Sequence, residues 1–453
     1  MTHPDLIIIG GGLAGTEAAW QAAQLGLCIR IYEMRPVKLT GAHQTSDLAE
    51  LVCSNSLGSN LPDRASGLLK NELRLFESLL LQCAQLSALP AGTALAVDRE
   101  SFARLVNERL ASHPNIEIIR AEVTEIPDDP TIIASGPLTS EGLAQSISTL
   151  TGEEQLFFFD ALAPIVTAES IDMGVAFRAS RYGTGETENG DYINCPFTKE
   201  QYESFVDALL SAERTKLREF ESEIEQGVNA GPEHFFEACL PVEVIARRGR
   251  QALAFGPMRP TGVVDPNTGR WPYALIQLRR DNLLGSLYNM VGFQTNLTYS
   301  EQMRIFRMIP GMGSVEFIRY GQMHRNTFLA SPKVLLPTLQ FLRREDLLFA
   351  GQITGVEGYM GNIATGLLAG INAAYILKGK KPIILPGTTM LGALCYYITH
   401  AKMKDYQPMK ANFGLLPPLC STTRLDKRER ARLFVERAQN DLTSFMNKNM
   451  IIA

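Results

Sequence analysis

No two cysteines in this chain are spaced as Cys-x-x-Cys, and the seven present, at 28, 53, 83, 195, 239, 395 and 420, are an odd number scattered over 453 residues. That pattern argues against a disulfide framework and a zinc site, so the thiols are read as free in a reducing compartment. No stretch approaches the ~20 uninterrupted apolar residues that a membrane helix needs. The most apolar region, 355–377, is broken by Glu357, two asparagines and five glycines. The N-terminus has no basic n-region, and Leu6 to Ile9 gives way to three glycines, so no secretory signal is read there. Excess positive charge is also missing: the net charge is −5 and the pI about 5.8, which gives no global pull toward a polyanion. Repeats and low-complexity tracts are absent. These absences lead to a cytoplasmic globular protein, with no membrane and no metal.

What is present is ordinary in bulk, 45% hydrophobic and 20% charged, and long enough to expect more than one domain. Four basic clusters stand out: Arg247, Arg248 and Arg250; Arg279 and Arg280; Lys378, Lys380 and Lys381; and 427–437. Each taken singly reads as a solvated face, and a local RNA contact is the alternative.

The chain opens as strand, turn, helix, strand. Leu6 to Ile9 is a wholly apolar run of the kind found inside a parallel sheet. Helix formers follow from Thr16 to Gln24, and Leu27 to Glu33 returns to strand. Leucines at 68, 69, 73, 75, 79 and 80 predict one helix over 67–86. Further strands are predicted at 116–119, 131–135 and 157–161, with helices near 101–110, 363–377 and 425–447. From about 170 to 330 charge and aromatics increase and proline turns appear, which marks an inserted domain before the α/β pattern resumes at Asp346. The expected division is 1–165 and 331–453 for the two parts of a nucleotide-binding domain, and 166–330 for the insert.

Gly10, Gly12 and Gly15 have G-x-G-x-x-G spacing between a predicted strand and helix, with Gly11, Leu13 and Ala14 between them. The first glycine permits the tight turn, the second the approach of a pyrophosphate, and the third close helix packing. The phosphates then meet the free N–H groups of the helix. Glu33 lies 21 residues beyond Gly12 at the next strand end, where a carboxylate accepts from ribose hydroxyls. A second glycine-rich strand end, with Gly351, Gln352, Gly358, Tyr359, Gly361 and Asn362, suits FAD better than NAD, since a helix N-terminus near Asn362 stabilises the charge of a reduced flavin. The spacing Gly366-x-x-x-Gly370 reads equally as close helix packing.

Blocks along nearly the whole length, among them "ELVCSNSLGSN" (50–60), "GLLKNELR" (67–74), "ASRYG" (179–183), "CLPVEVIARRG" (239–249), "QLRRDN" (277–282) and "GQITGVEGY" (351–359), resemble the bacterial folate- and FAD-dependent tRNA (uracil-5-)-methyltransferases. The resemblance implies an α/β fold: a Rossmann-like, glutathione-reductase-like FAD-binding domain with an inserted α+β domain. It also implies C5 methylation of the T-loop uridine (position 54) of tRNA. The carbon would come from 5,10-methylenetetrahydrofolate, with FAD recharged by NAD(P)H. Three departures are Gly58 in place of a basic residue, Lys410 in place of asparagine, and "GNIATG" (361–366) for "ESAASG".

Cys239 stands between His234-Phe235-Phe236 and three arginines. Carbon 5 of uracil becomes nucleophilic once a thiolate adds at C6, and nearby cations lower a thiol pKa from its free value of ~8.5. The aromatic run offers a stacking surface for an extruded base. The resemblance assigns Cys239 as candidate nucleophile and gives Cys53 a functional role as well, leaving open which one attacks uracil. His324-Arg325-Asn326 is a candidate folate or flavin contact, or else a hydrogen-bonded turn. The competing functions are an FAD-dependent wobble-uridine modification, a non-catalytic flavin- and tRNA-binding protein, and a small-molecule flavin oxidoreductase.

Overall fold

A computed structural model describes residues 3–153, 156–187, 190–215, 240–419 and 426–449; the side chains of 157–161, 323–325 and 405 are not among those described. Five parallel strands, Ile116–Arg120, Ile29–Glu33, Leu6–Ile9, Thr131–Ile133 and Arg344–Phe349, lie side by side in that order, and Gln340–Phe341 pairs antiparallel at the edge. Leu6–Ile9 is buried at every position, as a strand covered on both faces requires. It is also where the strand order reverses, and in such sheets ligands bind at that switch point, beyond the strands' carboxyl ends.

Two helices cover one face. Tyr359–Leu377 lies across Leu13–Gln24, four residues longer at its start than the sequence predicts. A Cβ on Gly366 would stand 2.2 Å from the Ala14 carbonyl oxygen, and one on Gly370 2.4 Å from that of Ala18. The Gly366–Gly370 spacing is therefore helix packing. Tyr359–Leu377 is also the one described helix with the length and apolarity of a membrane span, and 83% of that window is enclosed by the fold. Replacing Gly370 by valine should destabilise the protein by about 3 kcal/mol through overpacking; a urea midpoint shift of that size checks it, and an unchanged midpoint contradicts the contact.

The single helix expected over 67–86 is two, Ala65–Leu75 and Leu79–Leu86. Glu77 takes a left-handed φ of 52°, and Ser78 caps the second helix by accepting from the Leu81 N–H. The fully buried Glu17 carboxylate accepts from Ser78 Oγ at 2.9 Å and from the Leu80 N–H at 3.0 Å. Leucines on both sides of the break face one core, so their spacing hides it. On the first of these helices the buried Lys70 donates to the carbonyls of Gly58 and Ser59 and to Ser66 Oγ, and burial pushes its pKa down to about 7. Glu72, raised to about 7 by burial, accepts from the N–H groups of Met390 and Leu391 at the start of another helix. Gly58 has φ +81°, which a residue with a side chain rarely adopts, and a Cβ there would meet Ser66 Oγ at 2.7 Å.

A second sheet is antiparallel, in the order Phe177–Ala179, Tyr192–Phe197, Ala274–Arg280, Leu287–Met290, Ile165–Thr167 and Phe317–Arg319. Ile193, Cys195, Ile276, Leu278 and Met290 turn into its own core. The alternate positions carry Asn194, Gln277, Arg279 and Asn289. Register aligns Arg279 with Asn289, Asn289 with Ile165, and Ile165 with Arg319, so both arginines stand in one cross-strand row.

Candidate active site

At the carboxyl ends of the parallel strands lies a cavity of about 990 Å³, lined by Gly10 to Ala14, Glu33, the 134–140 turn, Gly351, Gln352, Tyr359 and Asn362. Gly10 has φ +107°, and its missing Cβ would collide with Ala134 at 2.4 Å. A Cβ on Gly12 would meet nothing within 4 Å, so this is the glycine that leaves the backbone open to a ligand. Gly15 stands outside the lining; a Cβ there would lie 1.9 Å from the Gly10 carbonyl oxygen, which makes it the helix-packing glycine. Glu33 is held by the Gly11 N–H at 3.0 Å and by Arg35 Nε at 2.8 Å. Burial works to raise its pKa, but the Arg35 guanidinium and the N–H groups of Arg35 and Gly11 outweigh it and hold the carboxyl below its ordinary range. Its Oε1 accepts twice from Arg35, while Oε2 accepts only from Gly11 and keeps a further lone pair for a hydroxyl. Asn362 Oδ1 is buried with no partner among the described residues; an acceptor left so costs about 1–3 kcal/mol unless a ligand N–H meets it. An open glycine turn, a carboxylate at the wall and a waiting acceptor fit a flavin dinucleotide.

A second cavity, about 860 Å³, adjoins the first and shares Val52, Pro137, Gln352, Tyr359 and Asn362 with it. Gly358 lines it, and so do Cys53, Ser54, Gln294, Asn326 and Glu357; Gly361 lines neither. Cys53 is half-buried, and its loop is gripped from all sides. The N–H groups of Cys53 and Ser54 donate to the Tyr359 hydroxyl at 2.8 and 3.0 Å. Arg319 donates to the carbonyls of Val52 and Cys53, both at 3.0 Å. Arg99 donates to those of Leu51 and Cys53 and pairs with Asp281 at 3.1 Å. Arg279 reaches Ser54 Oγ at 2.7 Å and Asn55 Oδ1 at 2.9 Å. Three guanidiniums and one carboxylate leave a net positive surrounding for the Cys53 loop. Burial lowers the pKa of Arg279 and Arg319, yet a guanidinium stays charged in proteins.

Arg279 is thus no part of a solvated face: it is 7% exposed and ties the second sheet to the 54–55 loop. Arg99 and Arg319 were not singled out by the sequence. The available signal was local, because alternation along Ala274–Arg280 puts Gln277 and Arg279 on the face opposite Ile276 and Leu278. Cys239, with His234, Phe235 and Phe236, lies outside the described residues, and so do the side chains of His324 and Arg325. Arg250 pairs with Asp207 at 2.6 Å. Of the remaining thiols, burial pushes Cys83 up to about 11 and Cys195 and Cys395 to about 12. Iodoacetamide at about pH 8, near the free thiol pKa of ~8.5, should alkylate exposed Cys28 and half-buried Cys53 while sparing Cys83, Cys195 and Cys395 until denaturant is added. Peptide mass mapping checks this; native labelling of Cys195 would contradict the packing.

A glycine turn at a switch point, a second glycine-rich strand end and a clamped thiol at the adjoining cavity define a dinucleotide-binding α/β protein of the glutathione-reductase-like class. The family model described as glucose inhibited division protein A matches residues 5–381. The solved GidA of Aquifex aeolicus superposes with a TM-score of 0.67 at 16% identity, covering 98% of this chain and 76% of that one. The methylenetetrahydrofolate–tRNA-(uracil-5-)-methyltransferase TrmFO of Pelotomaculum thermopropionicum is 53% identical over 98% of this chain and 99% of its own. The enzyme of the same description from Halalkalibacterium halodurans is 50% identical over 99% and 100%. The chain belongs to the methylenetetrahydrofolate–tRNA-(uracil-5-)-methyltransferase family.

Proposed function

We propose that this protein methylates C5 of a tRNA uridine, that of the T loop at position 54, with 5,10-methylenetetrahydrofolate as carbon donor, FAD as cofactor and NAD(P)H as reductant. The observation that carries this is identity of 50–53% to such enzymes along 98–99% of the chain, joined to a thiol that lines the second cavity. Gly10 to Ala14, Gly351, Gln352 and Asn362 would hold FAD, with Glu33 on the ribose; reduced, the flavin supplies the hydride equivalent that completes the methyl group. The chain's own residues do the rest. A uridine leaves its stack to enter the second cavity. A thiolate adds to C6, which makes C5 an enolate carbon able to attack the one-carbon unit as its bond to one folate nitrogen opens. Loss of the C5 proton and cleavage of the remaining carbon–nitrogen bond release tetrahydrofolate and leave a methylene on C5, and hydride addition to that carbon with expulsion of the thiolate restores the ring as the methylated uracil.

Cys53 and Cys239 are the two thiols assigned to this chemistry. For Cys239 the support is connectivity: the Val242 N–H donates to the Gln294 carbonyl at 2.8 Å, Gln294 lines the second cavity, and three residues of chain span at most about 11 Å. We divide the chain into a nucleotide-binding domain, 1–165 and 331–453, and an RNA-facing insert, 166–330, and place the protein in the cytoplasm. The test is incubation of the holoprotein with unmodified tRNA transcript, labelled methylenetetrahydrofolate and NADH or NADPH. Label at C5 of the T-loop uridine is expected. No label in RNA with either nicotinamide would reject the proposal.

A further inference from the structure

Tyr182 holds a backbone conformation that non-glycine residues rarely adopt, φ 57° and ψ 22°, and the residue is 69% exposed. Strained backbone of this kind persists only where the surroundings enforce it, and here they do. The Tyr182 N–H donates to the Gly262 carbonyl at 2.7 Å, and Arg181 donates to the Thr261 carbonyl at 2.7 Å and to Gln277 Oε1 at 2.9 Å. The ring lies against Gly262, where a Cβ would stand 2.9 Å from it. Two turns are thus zipped together and present an aromatic face to solvent.

The charge around it is unbalanced. Neither Arg181 nor the exposed Arg259 has a carboxylate ion-pair partner among the described residues. Burial, and then Arg259, lower the Arg181 pKa. Asp191 is turned inward, accepting from the N–H groups of Gly92 at 2.6 Å and Thr187 at 3.0 Å; Glu186 is exposed in the same loop, and Glu188 lies outside the described residues. Gln277, which holds Arg181, sits two residues from Arg279 on one face of a strand, roughly 6.6 Å along it, and Arg279 grips Ser54 beside Cys53. The patch therefore lies on the approach to the thiol loop.

We propose that Tyr182 is a stacking platform for an unpaired base of the substrate RNA, with Arg181 and Arg259 on the neighbouring phosphates. This rests on the tRNA reading above. Extruding one uridine exposes its neighbours, and unstacked bases are recognised by aromatic faces flanked by cations. The experiment measures binding of unmodified tRNA transcript to holoprotein at several salt concentrations, together with methyl transfer. Tyr182→Ala should weaken binding about 10–100-fold, as loss of one stacked base does, whereas Tyr182→Phe stays within about twofold. Arg259→Gln should lower the slope of log K against log salt by about one. Wild-type affinity and kcat/KM in Tyr182→Ala would overturn the platform while leaving the methyltransferase reading intact. A wild-type protein that neither binds nor labels the transcript overturns both. Should Tyr182→Ala lose its flavin absorbance, the Arg259→Gln slope decides, and an unchanged slope counts against the proposal.

Discussion

Cys53→Ala should transfer methyl groups to tRNA at least about a thousand-fold more slowly than the wild-type protein, as removal of a nucleophile does in other covalent enzymes. The same holds for Cys239→Ala. Both effects are expected on kcat, with flavin absorbance and transcript affinity kept, because neither thiol is needed for the glycine turn that would hold the dinucleotide. The geometry behind the first half of this is direct. Cys53 lines the cavity adjoining the nucleotide cleft, and its backbone is fixed through the Tyr359 hydroxyl and the Arg99 and Arg319 guanidiniums, so the thiol has one approach to whatever enters. The two replacements also separate the roles. The thiol that adds to C6 is the one whose loss removes a denaturant-resistant protein–RNA adduct, and the other variant should retain or accumulate that adduct. Wild-type turnover in Cys53→Ala would remove it from the chemistry, and wild-type turnover in Cys239→Ala would do the same for Cys239.

The sequence carries the nucleotide site better than the thiol site, and the reason is physical. A dinucleotide turn is local: Gly10, Gly12 and Gly15 sit within six residues and answer steric demands of the turn itself, open space at Gly12 and backbone contact at Gly10 and Gly15. The helix break at Glu77 was hidden because the leucines on either side serve one core. The clamp on Cys53 was hidden for a different reason. Its arginines come from positions 99, 279 and 319: Arg279 and Arg319 converge through the antiparallel register of the second sheet, and Arg99 comes from the start of the helix Arg99–Ala111. An isolated arginine in a strand reads as surface, since burial of that side chain is rare unless it is paired. Glu17 and Glu72, buried carboxylates that accept from helix-start N–H groups, escape notice in the same way: a helix cap supplied from a distant segment leaves no local pattern.

Arg99→Met should be among the most destabilising single changes in the protein, by about 3–5 kcal/mol, because it leaves a charge buried without its partner. Asp281 is 5% exposed at its side chain, and the same substitution strips donors from the carbonyls of Leu51 and Cys53. Adding Asp281→Asn should recover much of the loss, since the double variant buries no lone charge; the coupling is read from a double-mutant cycle of urea midpoints. Arg99→Lys separates pairing from positioning. A lysine keeps the charge opposite Asp281 but lacks the planar fork that reaches two carbonyls and a carboxylate together. Its stability should therefore return most of the way to wild type while kcat for methyl transfer stays depressed, with transcript affinity unchanged. If Arg99→Lys restored both, the guanidinium would serve only to neutralise Asp281, and the Cys53 loop would owe its shape to Arg319, Arg279 and Tyr359 alone.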